Sequence, residues 1–69
     1  MERFEYKVLG TKTHGVFQEI WFDGDENLGK EITAELLNRY GAEGWEVCGT
    51  MRAGYGFSIF LKRRKQPLM

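Results

Sequence analysis

This chain of 69 residues contains one cysteine, Cys48, and one histidine, His14. A lone cysteine closes no disulfide, and one Cys with one His cannot build the four-ligand cage of a structural zinc site. Two supports on which domains this short commonly lean are therefore excluded. The fold must rest on apolar side chains, which are plentiful: 42% of residues are hydrophobic and 14% aromatic. That composition excludes intrinsic disorder, and the length excludes a two-lobed enzyme with a cleft between domains. A domain of this size still buries only roughly 60% of the surface its unfolded chain exposes. Self-association is the support that remains.

The pattern along the chain predicts one α+β domain over residues 1–65 and a frayed tail over 66–69. Arg3 to Val8 alternates polar and apolar strictly, the signature of a half-buried strand with Phe4, Tyr6 and Val8 turned to the core. Gly10 to Gly15, which includes His14, reads as a turn. Val16 to Phe22 is a second strand of less regular pattern. Asp25 or Asn27 then caps a helix whose stripe is Leu28, Ile32, Leu36, Leu37 and Tyr40, with Gly41 and Gly44 as candidate C-terminal caps. Trp45 to Met51 and Phe57 to Lys62 form a closing hairpin about the glycine-rich Arg52–Gly56. In that hairpin Trp45, Val47, Met51, Phe57, Ile59 and Leu61 are expected inside. The order is β-β-α-β-β, a small antiparallel sheet with one helix packed on one face in two layers. Phe17, Trp21 and Phe60 are left over as exposed aromatics and are the expected oligomer contact.

Three stretches suggest a family: Phe4-Glu5-Tyr6-Lys7-Val8, then Leu37-Asn38-x-x-Gly41-Ala42-Glu43-Gly44-Trp45-Glu46-Val47, then a final hairpin ending in basic residues. Together they resemble the short bacterial and phage proteins grouped as domain-of-unknown-function family 4177, over most of the chain. Val47 and Cys48 stand where Leu and Val are usual, and residues 11–27 are longer than in the shortest members. The resemblance implies a fold and an intracellular setting. It implies no activity, and no functional residue is carried over from it. The glycines and tryptophan have a structural explanation of their own: Gly41 ends the helix, Gly44 makes the turn, and Trp45 wedges a ring between helix and sheet.

No catalytic constellation emerges. His14 has no orienting partner or nucleophile fixed beside it, and Cys48 has nothing to lower its pKa. Asp23, Asp25, Glu26 and Glu31 lack calcium-loop spacing, and Gly54-Tyr55-Gly56 is too short for a phosphate loop. The expectation is a protein that is not an enzyme and needs no cofactor or metal.

Charge is the informative feature that remains. The formal net charge is zero, yet residues 1–18 carry +1, residues 19–46 carry −6 and residues 47–69 carry +5. The leading expectation is a small interaction module acting as a homo-oligomer, with itself or a host protein as partner. The alternative is an oligomeric sponge holding a small anion, such as a cyclic nucleotide immune signal, between subunits. Arg52, Arg63 and Arg64 would meet its phosphates, while Tyr55 or Trp21 would stack its base. A neutral chain argues against nucleic-acid binding. There is no apolar run approaching the ~18 residues that cross a bilayer, and no signal-peptide pattern. A soluble, cytoplasmic protein of a cell, or of a virus infecting one, is expected.

Overall fold

A computed structural model describes residues 3–14, 18–54 and 56–65. These residues form β1 (Phe4–His14), β2 (Gln18–Asp23), β3 (Glu26–Gly29), α1 (Ala34–Ala42), β4 (Glu46–Ala53) and β5 (Gly56–Arg64). The five strands make one antiparallel sheet in the order β3-β2-β1-β5-β4. The α+β class holds, but the order is β-β-β-α-β-β rather than the predicted β-β-α-β-β. The tail expected over 66–69 lies outside the described residues.

The extra strand arises where the helix was expected to begin. Gly24 turns at φ +58°, so Glu26–Gly29 folds back on β2. Gly29 at φ +94° then breaks any helix through Leu28. The Asn27 carboxamide, expected as a helix cap, instead accepts from the Gly29 amide at 2.8 Å. Thr33 caps the helix, its hydroxyl accepting from the Leu36 amide at 3.1 Å. Of the turn expected over residues 10–15, residues 10–14 are strand and Gly15 lies outside the described residues. Thr11, Lys12 and Thr13 continue β1 to His14, because Gly10 is held in ladders on both sides, opposite Phe22 and Ser58.

The helix ends at Ala42, one residue later than Gly41. The Gly44 amide donates to the Gly41 carbonyl at 2.9 Å, and the Trp45 amide donates to the Tyr40 carbonyl at 3.0 Å. Those two bonds, with Gly44 at φ +91°, make a Schellman cap. The cap throws Trp45 back beside Tyr40, and both rings join the core. That core is Leu9, Tyr40 and Leu61, at most 3% exposed, packed by Trp21, Leu28, Ile32, Leu36, Trp45 and Ile59.

Residues directly opposite in an antiparallel ladder share a face. Leu9 lies opposite Asp23 and Ile59, Lys7 opposite Leu61, and Glu5 opposite Arg63, so all of these face the helix. Phe4, Tyr6 and Val8 therefore point away from it, the reverse of the sequence expectation. The hairpin is right in part. Ile59 and Leu61 face inward, but a bulge at Cys48 flips the phase of β4, turning Thr50 to the helix side and Met51 away. Phe57 shares the helix side yet stays 44% exposed.

The second layer is only partial. At 1.5 Å per residue the nine-residue helix is about 13 Å long, against about 37 Å for the eleven residues of β1. The helix thus covers one end of one face and leaves the rest of that face open.

The two glycines of the cap should respond oppositely to substitution. Gly41 lies within the helix with open space where a Cβ would point, so Gly41→Ala should stabilise by about 0.5–1 kcal/mol. Gly44→Ala must hold an L-residue at positive φ and should destabilise by about 1–2 kcal/mol. Urea unfolding of the two variants checks both signs.

Candidate functional site

Two places on the helix side collect polar or aromatic groups. The first lies under the helix. Lys7 on β1 donates to both carboxylate oxygens of Asp23 on β2, at 3.0 and 3.2 Å. The Tyr40 hydroxyl of α1 donates to the same carboxylate at 2.7 Å. The Lys7 ammonium also stands 5.7 Å from the Tyr40 ring centre and 5.3 Å from that of Trp45. Beside it Arg63 pairs with Glu5, donates to the Glu43 carbonyl at 3.0 Å and stacks on Trp45 at 4.4 Å. Every partner is thereby committed to another, and what the cluster does is hold the helix to the sheet.

Its ionisation reflects this. Burial, then the hydrogen bond to Asp23, pushes the Tyr40 hydroxyl up to about 12. Burial also works to raise the Asp23 carboxyl, but the Tyr40 hydroxyl and the Lys7 ammonium outweigh it and hold the group below 3.8.

The second place is a groove where the helix stops short, about 380 Å³ in volume and lined by Trp21, Thr50, Arg52, Phe57 and Ile59 among others. Trp21 also packs against the core cluster. Arg52 is exposed, with its guanidinium 5.5 Å from the Phe57 ring centre. A cation and two aromatic rings around an open apolar floor can take a planar anion.

Of the residues singled out from the sequence, Trp21 and Arg52 meet in this groove. Tyr55 and Phe17 lie outside the described residues. Arg63 is tied to Glu5, and since it lies six residues beyond the Arg52 partner Phe57 on β5, it is about 20 Å along the strand from the groove. Arg64 stands opposite Phe4 on the helix-free face, and half-buried Phe60 stands opposite Val8 on that same face. Among the described residues the three arginines do not come together in one place. The sequence reading missed Phe57 as a groove wall and the Lys7–Asp23–Tyr40 chain altogether. The place of Lys7 in phase with Leu9 was the available signal. Among the described residues no group of three His, Cys, Asp or Glu side chains is placed to hold a metal, and no helix is long and apolar enough to cross a membrane.

The family described as a domain of unknown function (DUF4177) matches residues 4–64. The chain belongs to this family. The match spans β1 through β5, so the clamp, the cap and the groove all lie inside the DUF4177 domain. No curated protein and no solved structure matches the chain.

The clamp sets the pH response of the DUF4177 domain. A raised folded-state pKa at Tyr40 gives stability that is complete below the unfolded tyrosine value of 10 and is lost as pH rises through about 12. The lowered Asp23 value gives stability that is complete above 3.8 and drains away as pH falls through the folded value. Ultraviolet titration should show one tyrosine ionising near 12, a phase that Tyr40→Phe removes. That variant should lose about 1 kcal/mol at neutral pH in urea unfolding.

Proposed function

We propose that this DUF4177 protein is a small non-enzymatic interaction module that works as a homo-oligomer inside a bacterial or phage-infected cell. One observation carries the reading. The buried hydrophobic core comprises Leu9, Ile20, Tyr40 and Leu61, while Val47 and Phe57 stand exposed on the helix side among the described residues. A domain with so little interior and so much apolar surface gains most from a second subunit. The contact is assigned to the open end of the helix side. There Trp21, Phe57 and Ile59 form a ready apolar floor that a longer helix would have covered.

The meeting of Trp21 with Arg52 favours a second reading on the same groove. A small anionic ligand such as a nucleotide, held between subunits, would stack on Trp21 and bring its phosphate to Arg52.

Light scattering on the eluting protein should give a mass of at least twice 8.1 kDa. Phe57→Glu should return it to the monomer, since it puts a charge into the proposed contact. A monomeric wild type at high concentration sinks the oligomer reading. A thermal-shift screen with mono-, di- and cyclic nucleotides separates the second reading: at 100-fold over its Kd a ligand should stabilise by about 2.7 kcal/mol, and Arg52→Ala should abolish the shift.

A further inference from the structure

The sheet face without a helix has a composition of its own. The register places Phe4, Tyr6 and Val8 of β1 on it, with Phe22 of β2 and Phe60 of β5. Tyr6 is 68% exposed and Phe4 38%, while Phe60, opposite Val8, and Phe22, opposite Gly10, are half-buried further along the same face. Phe4 and Tyr6 are two residues apart on one strand, so their rings project about 6.8 Å from one another. That spacing suits successive bases of an extended single strand.

The charges on this face are sorted as well. Lys62 lies directly opposite Tyr6, Arg64 directly opposite Phe4, and Lys12 opposite Ile20. The Lys62 ammonium is 5.1 Å from the Phe4 ring centre, and the Lys12 ammonium is 4.8 Å from that of Phe22. Glu46 is the single acid that the strand register puts on this face among the described residues, at 3.7 Å from Lys62. The other strand acids, Glu5, Glu19, Asp23 and Glu26, all fall on the helix side. A chain that is neutral in sum therefore has one sheet face carrying three cations against one anion.

We propose that this helix-free face binds single-stranded nucleic acid, with bases stacking on Tyr6 and Phe4 and phosphates meeting Lys12, Lys62 and Arg64. Exposed rings with a cation beside each are the two elements that single-strand recognition requires: a stacking platform and a backbone track. A second copy of this chain suits the face less well, because an isologous contact would set its cations against one another. The neutral-chain objection applies to a uniformly charged surface, and this surface is not uniform. The proposal is independent of the subunit contact, which lies on the opposite side of the sheet.

The test is fluorescence anisotropy of labelled oligothymidylate and oligouridylate, about twelve nucleotides long, titrated with the full chain at several salt concentrations. Binding of either should weaken with salt at a log–log slope of about −2, as expected for three backbone contacts on a single strand. Tyr6→Ala should weaken it by about tenfold or more, and Lys62→Ala should flatten the slope. Arg39→Ala, which removes a half-exposed cation of α1 on the other side of the sheet, should do neither. Circular dichroism melts of each variant separate lost binding from lost folding. No binding of either oligonucleotide at about millimolar protein, where even non-specific contacts register, overturns the proposal. So does binding that a folded Tyr6→Ala leaves intact. If folded Tyr6→Ala instead converts an oligomer to a monomer in light scattering, the face belongs to a second copy and the proposal fails.

Discussion

The carboxylate of Asp23 is the point on which this structure turns. It sits at the end of β2 and accepts from Lys7 of β1 and Tyr40 of α1 together. Three elements far apart in sequence are thereby fixed by one side chain. Burying an ammonium beside a carboxylate costs desolvation that their attraction need not exceed. The chain nonetheless uses the pair here, and the consequence is geometric: the helix docks at one place, with Tyr40 set between Leu9 and Leu61. Two apolar residues in those positions would pack against the helix without choosing its rotation.

The same clamp decides what the opposite face shows. Side chains alternate along a strand, so holding Lys7 on the helix side obliges Phe4, Tyr6 and Val8 to face away. Arg63 with Glu5 reinforces the choice two residues earlier on β1, and Leu9 does so two residues later. Large apolar residues are left in water while charged ones lie under the helix. Such an inversion is costly for a small domain, which makes the outward rings a feature to be explained by binding rather than by folding.

That inversion also marks the limit of what the sequence made legible. Strict alternation from Arg3 to Val8 identified a strand, but a period has no sign. The larger side chains were placed inward on bulk alone, while Leu9, the residue that fixes the phase, lay just past the alternating run. The helix was visible in the stripe Leu36, Leu37 and Tyr40, and its start was not. Leu28 and Ile32 continue the same stripe, and only the backbone shows that Gly29 interrupts it and that Thr33 caps it. Gly44 followed by Trp45 was legible because a left-handed residue before a large ring has one common use, although Gly41 lies inside the helix rather than ending it. The bulge at Cys48 has no sequence signature, and it alone moves Thr50 and Arg52 to the groove side. Without it, Arg52 would project from the opposite face and Trp21 would have no cation across the groove.

Charge behaves similarly. Along the chain it divides into an acidic middle and a basic end. In space much of that opposition is already spent within one subunit: Arg63 on Glu5, Lys7 on Asp23, and Arg39 on Glu26 at 3.5 Å. The polarity that survives folding is set by the alternation of β1, β2 and β5, which sends Lys12, Lys62 and Arg64 to one face and most strand acids to the other. A segment-by-segment sum cannot detect that division, because neighbours in sequence project to opposite faces. Net charge consequently says little about a thin domain built on a single sheet. For such a chain the relevant quantity is the charge of each face, and the ladder register decides it.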